Sequence, residues 1–145
     1  RPQWQVTATD IYAPTLEVAQ DNAVRHGLMQ VKFACGAWFE ALEQQQFDLI
    51  VSNPPYIDPE DVHMQKLKSE PERALIADKQ GMADIETIIN QGKNWLKANG
   101  WIVLEHGYDQ GQLVREIFEQ LGFDRIQTIK DYGGNDRVSL GQKQA

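Results

Sequence analysis

The sequence predicts an α/β domain: an open, mainly parallel sheet with helices on its faces and one antiparallel strand late in the chain. Three observations predict it. Strand-like and helix-like patterns alternate in the order βαβ, β, αβ, αβ, β. One run, Phe47-Asp48-Leu49-Ile50-Val51-Ser52, is almost continuously apolar and β-branched, as a strand buried on both faces of a parallel sheet would be. Polar residues fall where predicted strands end, at Asp10, Asn53 and Glu105-His106, the end at which open α/β sheets bind ligands.

The elements follow in order. Residues 4–9 alternate and carry β-formers, predicting a strand that ends at the Asp10 carboxylate. From Ala13 to His26, Leu16, Ala19 and Ala23 share one helical face, Pro14 suits the first turn, and Gly27 suits the left-handed position beyond the end. A second strand is expected at 30–34 and a third at 47–52, stopped by Asn53-Pro54-Pro55. Residues 57–81 are charged, hold Pro59 and Pro71, and read as a long loop. Residues 84–97 form an amphipathic helix with Ile85, Ile88, Ile89 and Trp95-Leu96 inward, closed by Asn99-Gly100. A central strand follows at 101–105. A helix over 109–121 turns Leu113, Val114, Ile117, Phe118 and Leu121 inward and stops at Gly122. Strands at 124–130 and 137–141 flank the turn Gly133-Gly134-Asn135.

Composition narrows the chemistry. The 145 residues are one domain's worth of chain, and 41% hydrophobic residues suffice for a packed core. No apolar run approaches the ~20 residues that cross a bilayer, so the expected compartment is the cytosol and no membrane partner is expected. One cysteine, Cys35, excludes an internal disulfide framework and is read as a small buried hydrophobe. His26, His63 and His106 lie far apart, so no metal site is expected. With 14 basic against 21 acidic residues the net charge is −7, which disfavours a broad phosphate-gripping surface and hence direct nucleic-acid binding.

The most informative segment is Asn53-Pro54-Pro55-Tyr56, directly after the third strand. By chance this tetrapeptide should occur in on the order of one chain of this length in a few thousand. Read structurally, it is a rigid turn, because Asn before Pro is held extended and two prolines stiffen the exit. Read chemically, the same stiffness leaves the Asn53 and Pro54 carbonyls out of regular secondary structure. The Asn53 carboxamide oxygen and a nearby backbone carbonyl can then accept both N–H groups of a planar amide or amine, with Tyr56 over its flat face.

This motif resembles that of S-adenosylmethionine-dependent methyltransferases acting on planar nitrogen. Further segments narrow the resemblance: Ser52 through Ile57, Gly81-Met82-Ala83-Asp84-Ile85, Glu105-His106-Gly107, and Asp131-Tyr132-Gly133 followed by Asn135 and Arg137-Val138. Together, almost from end to end, they look like HemK-type protein-(glutamine-N5) methyltransferases, whose substrate is the glutamine of the Gly-Gly-Gln motif in peptide-chain release factors. The resemblance implies a Rossmann-like methyltransferase sheet with helices on both faces, S-adenosylmethionine as methyl donor, and release factors as partners in translation termination. It implies that Asp10 binds the ribose hydroxyls, Trp38 lies beside the adenine, and Asn53 touches both cofactor and glutamine. Asn53 and Pro54 would be catalytic, and Pro55 and Tyr56 would complete the substrate clamp.

Two departures stand out. Ala37 occupies a position where many relatives place an acid that accepts from the adenine amino group. Family members also have a first strand with a glycine-rich loop, preceded by a small helical substrate-recognition domain, and neither is seen here. The expectation is therefore a partial catalytic domain over residues 1–145, inactive when isolated, whose open strand edges favour self-association. Two other readings remain. The same clamp would fit adenine N6 or guanine N2 in a nucleic-acid methyltransferase, and a chain unable to hold the cofactor would be a non-catalytic protein-binding module. Among the weaker marks, His106 is read as a structural hydrogen-bonder, Glu70-Pro71 as an exposed loop, and Arg137 as a structural partner of Asp131 or Asp136.

Overall fold

A computed structural model of the chain describes residues 3–56 and 82–145. The expected long loop, with His63, Glu70-Pro71 and the Ile57 and Gly81 ends of the quoted motifs, lies outside the described residues. The chain divides into two compact units, Arg1–Gln45 and Gln46–Ala145.

In the first unit, β1 (Thr7–Asp10) pairs in parallel with β2 (Lys32–Cys35), and α1 (Ala13–Arg25) joins them. The helix starts with Pro14 near its N-terminus and turns Leu16 inward, 7% exposed, with Ala19 and Ala23 half-buried on the same stripe. Gly27 ends it with φ +68°, the left-handed conformation that glycine adopts without a Cβ penalty. Trp4, Gln5 and Val6 are exposed and precede the strand, which is therefore shorter than its alternation suggested. Cys35 is exposed, contrary to the sequence reading. It is the last residue of β2, and its thiol lies 3.7 Å from the Ile11 carbonyl.

In the second unit the sheet order is β3-β4-β6-β5, from β3 (Phe47–Ser52), β4 (Leu96–Glu105), β5 (Phe123–Lys130) and β6 (Asp136–Lys143). The β3–β4 pair is parallel, and β6 runs antiparallel to both β4 and β5, which supplies the late antiparallel strand that was expected. Helices α2 (Ala83–Trp95) and α3 (Gly111–Gln120) touch each other and pack on the sheet. Their core is made by Ile85, Ile88 and Ile89 of α2, Val114 and Phe118 of α3, and Ile102 and Leu104 of β4, all at most 1% exposed. Each such side chain contributes ~1.5–3 kcal/mol by leaving water. Phe118 meets Phe123 edge-on, with centroids 5.1 Å apart, and fills the space left by Gly141. Gly122, at φ +68°, stops α3 as expected.

Three expectations change here. The α2 pattern ends one residue before Leu96, which instead opens β4. The register jumps from Phe47↔Leu96 to Leu49↔Trp101, so Lys97 to Gly100 bulge out, with Asn99 at φ +61°. Leu113 is 45% exposed, because the inward stripe of α3 runs through Val114 and Phe118. The strand over 47–52 is not buried on both faces. Among the described residues β3 has one partner, β4, and Leu49 and Val51 are 40% and 68% exposed on the sheet face that carries Trp101 and Val103 in register. The helices cover the opposite face, where Ile50 lies beside Ile102.

Candidate active site

The first unit brings two of the singled-out residues to one end of its sheet. Asp10 closes β1 in register with Cys35, the Gly36 amide donates to the Asp10 carbonyl at 3.0 Å, and Trp38 follows two residues later. The Tyr12 amide donates to Asp10 Oδ1 at 2.7 Å, which turns the chain from β1 into α1. Among the described residues Oδ2 has no hydrogen-bond partner, and the carboxylate is half-exposed. Trp38 is half-buried with φ +47°. A bulky residue rarely adopts that conformation, which costs ~1–3 kcal/mol and is concentrated at functional sites. Two residues earlier, Gly36 packs so tightly that a Cβ would lie 2.7 Å from Ala41 Cβ. Among the described residues, a carboxylate oxygen without a partner thus lies at the same end of the sheet as a half-buried indole, a set of groups that suits a diol joined to a flat heterocycle.

The second unit builds the other part. β3 is paired as far as Ser52↔Leu104, and the chain then leaves the sheet through Asn53-Pro54-Pro55-Tyr56. Asn53 is exposed, Pro54 is buried, and Pro55 and Tyr56 are half-buried. The Tyr56 phenol donates to Glu105 Oε1 at 3.2 Å, and the Tyr56 carbonyl accepts from Gln110 Nε2 at 2.9 Å. Burial pushes the phenol's pKa up, and the Glu105 charge and hydrogen bond add to the rise, while Arg137 pulls the other way.

His106, the residue after Glu105, is fully buried. Its Nδ1 is 2.8 Å from the Gly107 carbonyl, so that nitrogen carries the proton. Nε2 then accepts from Ser139 Oγ at 2.8 Å, Ser139 accepts from Thr128 at 2.8 Å, and Thr128 accepts from Arg115 Nη1 at 2.7 Å. The chain of donors runs one way, from guanidinium to imidazole. Burial holds the imidazole's pKa below its ordinary value, partly offset by the Gly107 hydrogen bond.

The β5–β6 turn is tied to the same place. Asp131 Oδ1 accepts from the Gly133 and Asn135 amides at 2.8 and 3.0 Å, and these bonds, led by Asn135, hold its pKa down. Arg137 pairs with Asp131 at 3.4 Å and donates through Nη1 to the His106 carbonyl at 3.1 Å. Asp136 takes Lys130 at 3.0 Å and Arg115 at 3.8 Å, and the Lys130 bond leads the lowering of its pKa.

Asp10 and Trp38 thus belong to the first unit, and Asn53, Pro54, Pro55 and Tyr56 to the second. Gln110 was not singled out by its sequence. Its one available signal was a glutamine at a helix N-cap, where Ser, Thr, Asp or Asn is usual. Among the described residues no group of three or more His, Cys, Asp or Glu is arranged to hold a metal ion, and no helix is long and apolar enough to cross a membrane.

Comparison with known proteins adds three findings. A model of the methyltransferase small domain matches residues 1–75. The chain is 43% identical over 144 residues to the release factor glutamine methyltransferases of Salmonella typhimurium and of Escherichia coli, covering 98% of this chain and 52% of each relative. It therefore spans about half the length of the curated relatives it matches. Among solved structures, a methyltransferase from Pyrococcus furiosus superposes with a TM-score of 0.73 at 21% identity, covering 97% of this chain and 64% of that one. A ribosomal protein L11 methylase from Lactobacillus delbrueckii subsp. bulgaricus superposes with a TM-score of 0.69 at 17% identity, covering 97% and 58%. At these identities the likeness establishes the fold alone, a Rossmann-like α/β fold shared with these methyltransferases.

Proposed function

Because the chain belongs to the methyltransferase small domain family, we propose that it is the catalytic-domain portion of an enzyme that methylates the side-chain amide nitrogen of glutamine in the Gly-Gly-Gln motif of peptide-chain release factors. The carrying observation is the Asn53-Pro54-Pro55-Tyr56 turn, with an exposed carboxamide on a segment that its prolines stiffen. The names of the relatives at 43% identity favour a release-factor glutamine over a nucleic-acid amine. So does the net charge of −7.

S-adenosylmethionine, when bound, supplies an electrophilic methyl group on a sulfonium. Asp10 would accept hydrogen bonds from the ribose hydroxyls, and Trp38 would lie against the adenine; Ala37 has no side-chain acceptor for the adenine amino group and its carbonyl already takes the Glu40 amide at 2.9 Å, so stacking and diol recognition carry the nucleoside. In the second unit, the Asn53 carboxamide oxygen and the Pro54 carbonyl would accept the two N–H groups of the glutamine amide. An amide nitrogen is a poor nucleophile because its lone pair is delocalised into the carbonyl. Accepting both hydrogens orients that lone pair and raises its electron density, so positioning is the main device. As nitrogen gains positive charge the two acceptors bind it more strongly, and their effect grows toward the transition state. Once methylated, the nitrogen's proton is acidic enough to leave to water, so no general base is assigned. Tyr56 would cover the flat face of the amide.

The test is transfer of a labelled methyl group from S-adenosylmethionine to a Gly-Gly-Gln protein by the full-length enzyme of which this chain is the proposed portion, mapped by mass spectrometry. The expected product carries one methyl on that glutamine, and none when the glutamine is replaced by alanine. Labelling of DNA or RNA in its place would overturn the reading.

A further inference from the structure

We propose that Gln110 and Glu105 are positioning residues that hold the Asn53-Pro54-Pro55-Tyr56 turn from its far end, and this inference rests on the reading that Asn53 and Pro54 accept the substrate amide. Two consecutive prolines remove the N–H groups at 54 and 55, so the turn cannot fasten itself there by donating backbone hydrogen bonds. Its near end is fixed by β3 pairing at Ser52↔Leu104. Its far end is fixed by side chains. Gln110 Nε2 donates to the Tyr56 carbonyl at 2.9 Å, and Glu105 Oε1 accepts from the Tyr56 phenol at 3.2 Å. Backbone and side chain of one residue are therefore held from the last residue of β4 and from the connection that follows it to α3.

That connection is itself rigid. The Gln110 side chain is largely buried, and its Oε1 accepts from the Gly107 amide at 2.8 Å. The orientation of the carboxamide follows, because exchanging its O and N would set donor against donor at Gly107 and acceptor against acceptor at Tyr56. Gly107 leaves just enough room, since a Cβ there would lie 3.1 Å from Gln110 Oε1. The next residue back, His106, is buried between Ser139 Oγ and the Gly107 carbonyl, and Arg137 grips its backbone carbonyl. With the turn held at both ends, the Asn53 oxygen and the Pro54 carbonyl keep a fixed separation before substrate arrives. Preorganised acceptors of this kind need little rearrangement during the reaction.

Gln110→Glu tests the idea with little change of shape. It keeps an oxygen to accept from the Gly107 amide and sets a second oxygen against the Tyr56 carbonyl. In the full-length enzyme the expected result is a fall in kcat of about tenfold or more, with the KM for S-adenosylmethionine within about twofold. The nuclear magnetic resonance signals of the Asn53 carboxamide and the Tyr56 amide should shift while the Leu104 amide signal stays as it was. Glu105→Gln, which still accepts from the phenol, should retain more activity than Glu105→Leu. Unchanged Asn53 and Tyr56 signals in a folded Gln110→Glu chain would overturn the inference, whatever the activity. Should Gln110→Glu fail to fold, Glu105→Leu applies the same readouts from the phenol side, and unchanged signals there would overturn it. Absence of transfer to Gly-Gly-Gln by the unsubstituted full-length enzyme would defeat the proposed function instead, and the resonance measurements would still decide the positioning role.

Discussion

The Tyr56 phenol reaches across 49 residues of chain to hydrogen-bond Glu105 Oε1 at 3.2 Å, joining the residue that ends the turn after β3 to the residue that ends β4. Neighbouring parallel strands bring their carboxyl ends to the same rim, so a contact between distant segments becomes local in space. The phenol should titrate above its ordinary range, chiefly through burial. Glu105→Gln should bring it back part of the way, because the carboxylate's charge adds to the rise. A phenol whose folded pKa is raised stabilises the fold fully below ~10, and this stability is lost as pH climbs through the folded value. Ultraviolet titration of tyrosinate in the two chains, with Tyr56→Phe to assign the signal, measures the shift.

Asn53→Ala removes one of the two proposed acceptors and leaves the prolines in place. In an active protein the expected loss is on the order of 2–4 kcal/mol of transition-state stabilisation. Binding of S-adenosylmethionine should fall much less. Steady-state kinetics beside calorimetric titration separates the two, and equal losses would make Asn53 a cofactor residue alone.

His106 gives the fold a mild acid sensitivity. Its folded pKa is depressed by burial, so its contribution is complete above the unfolded value of ~6.5 and is lost as pH falls from there through the folded value. Protonation would also reverse the hydroxyl chain, since Ser139 would have to accept from Nε2 and donate to Thr128, which already accepts from Arg115. Urea midpoints should therefore drop between about pH 7 and pH 5, and His106→Asn should flatten that drop. Asp131 and Asp136, whose pKa values are lowered, lose their contribution only at lower pH, so the two windows separate.

Gly141→Ala should destabilise the second unit although it adds one methyl group. A Cβ at that position would lie 2.7 Å from Phe118 Cδ1, and the ring, 0% exposed and edge-on to Phe123, has nowhere to go. Overpacking of this kind costs ~1–3 kcal/mol. Thermal unfolding followed by circular dichroism provides the number, and an unchanged midpoint would show that Phe118 can re-pack.

The strand edges carry the last prediction. Among the described residues β3 pairs with β4 alone, and Val51 is 68% exposed. A β-branched edge with free N–H and C=O groups invites pairing with another chain. The chain on its own should self-associate in sedimentation experiments as concentration rises, and Val51→Lys should return it toward the monomer. A monomer at all concentrations would show that the edge is protected.

Local pattern sufficed for much of this protein. The stripe of Leu16, Ala19 and Ala23, the stops at Gly27 and Gly122, and the run Ile85, Ile88, Ile89 follow from helix periodicity and from glycine's freedom at positive φ. The turn at Asn53-Pro54-Pro55-Tyr56 was readable for the same reason, because proline fixes its own φ and restricts the residue before it. What needed the tertiary structure was everything set by neighbours distant in sequence. Whether β3 is covered on one face or two depends on what packs against it, and its apolar composition cannot say. Cys35 and Leu113 are apolar by type yet exposed, because burial is decided by the partner surface. Gln110 illustrates this most directly. In the sequence it is an ordinary polar residue at the start of a helix, and only the parallel pairing of β3 with β4 brings the Tyr56 carbonyl within 2.9 Å of its amide.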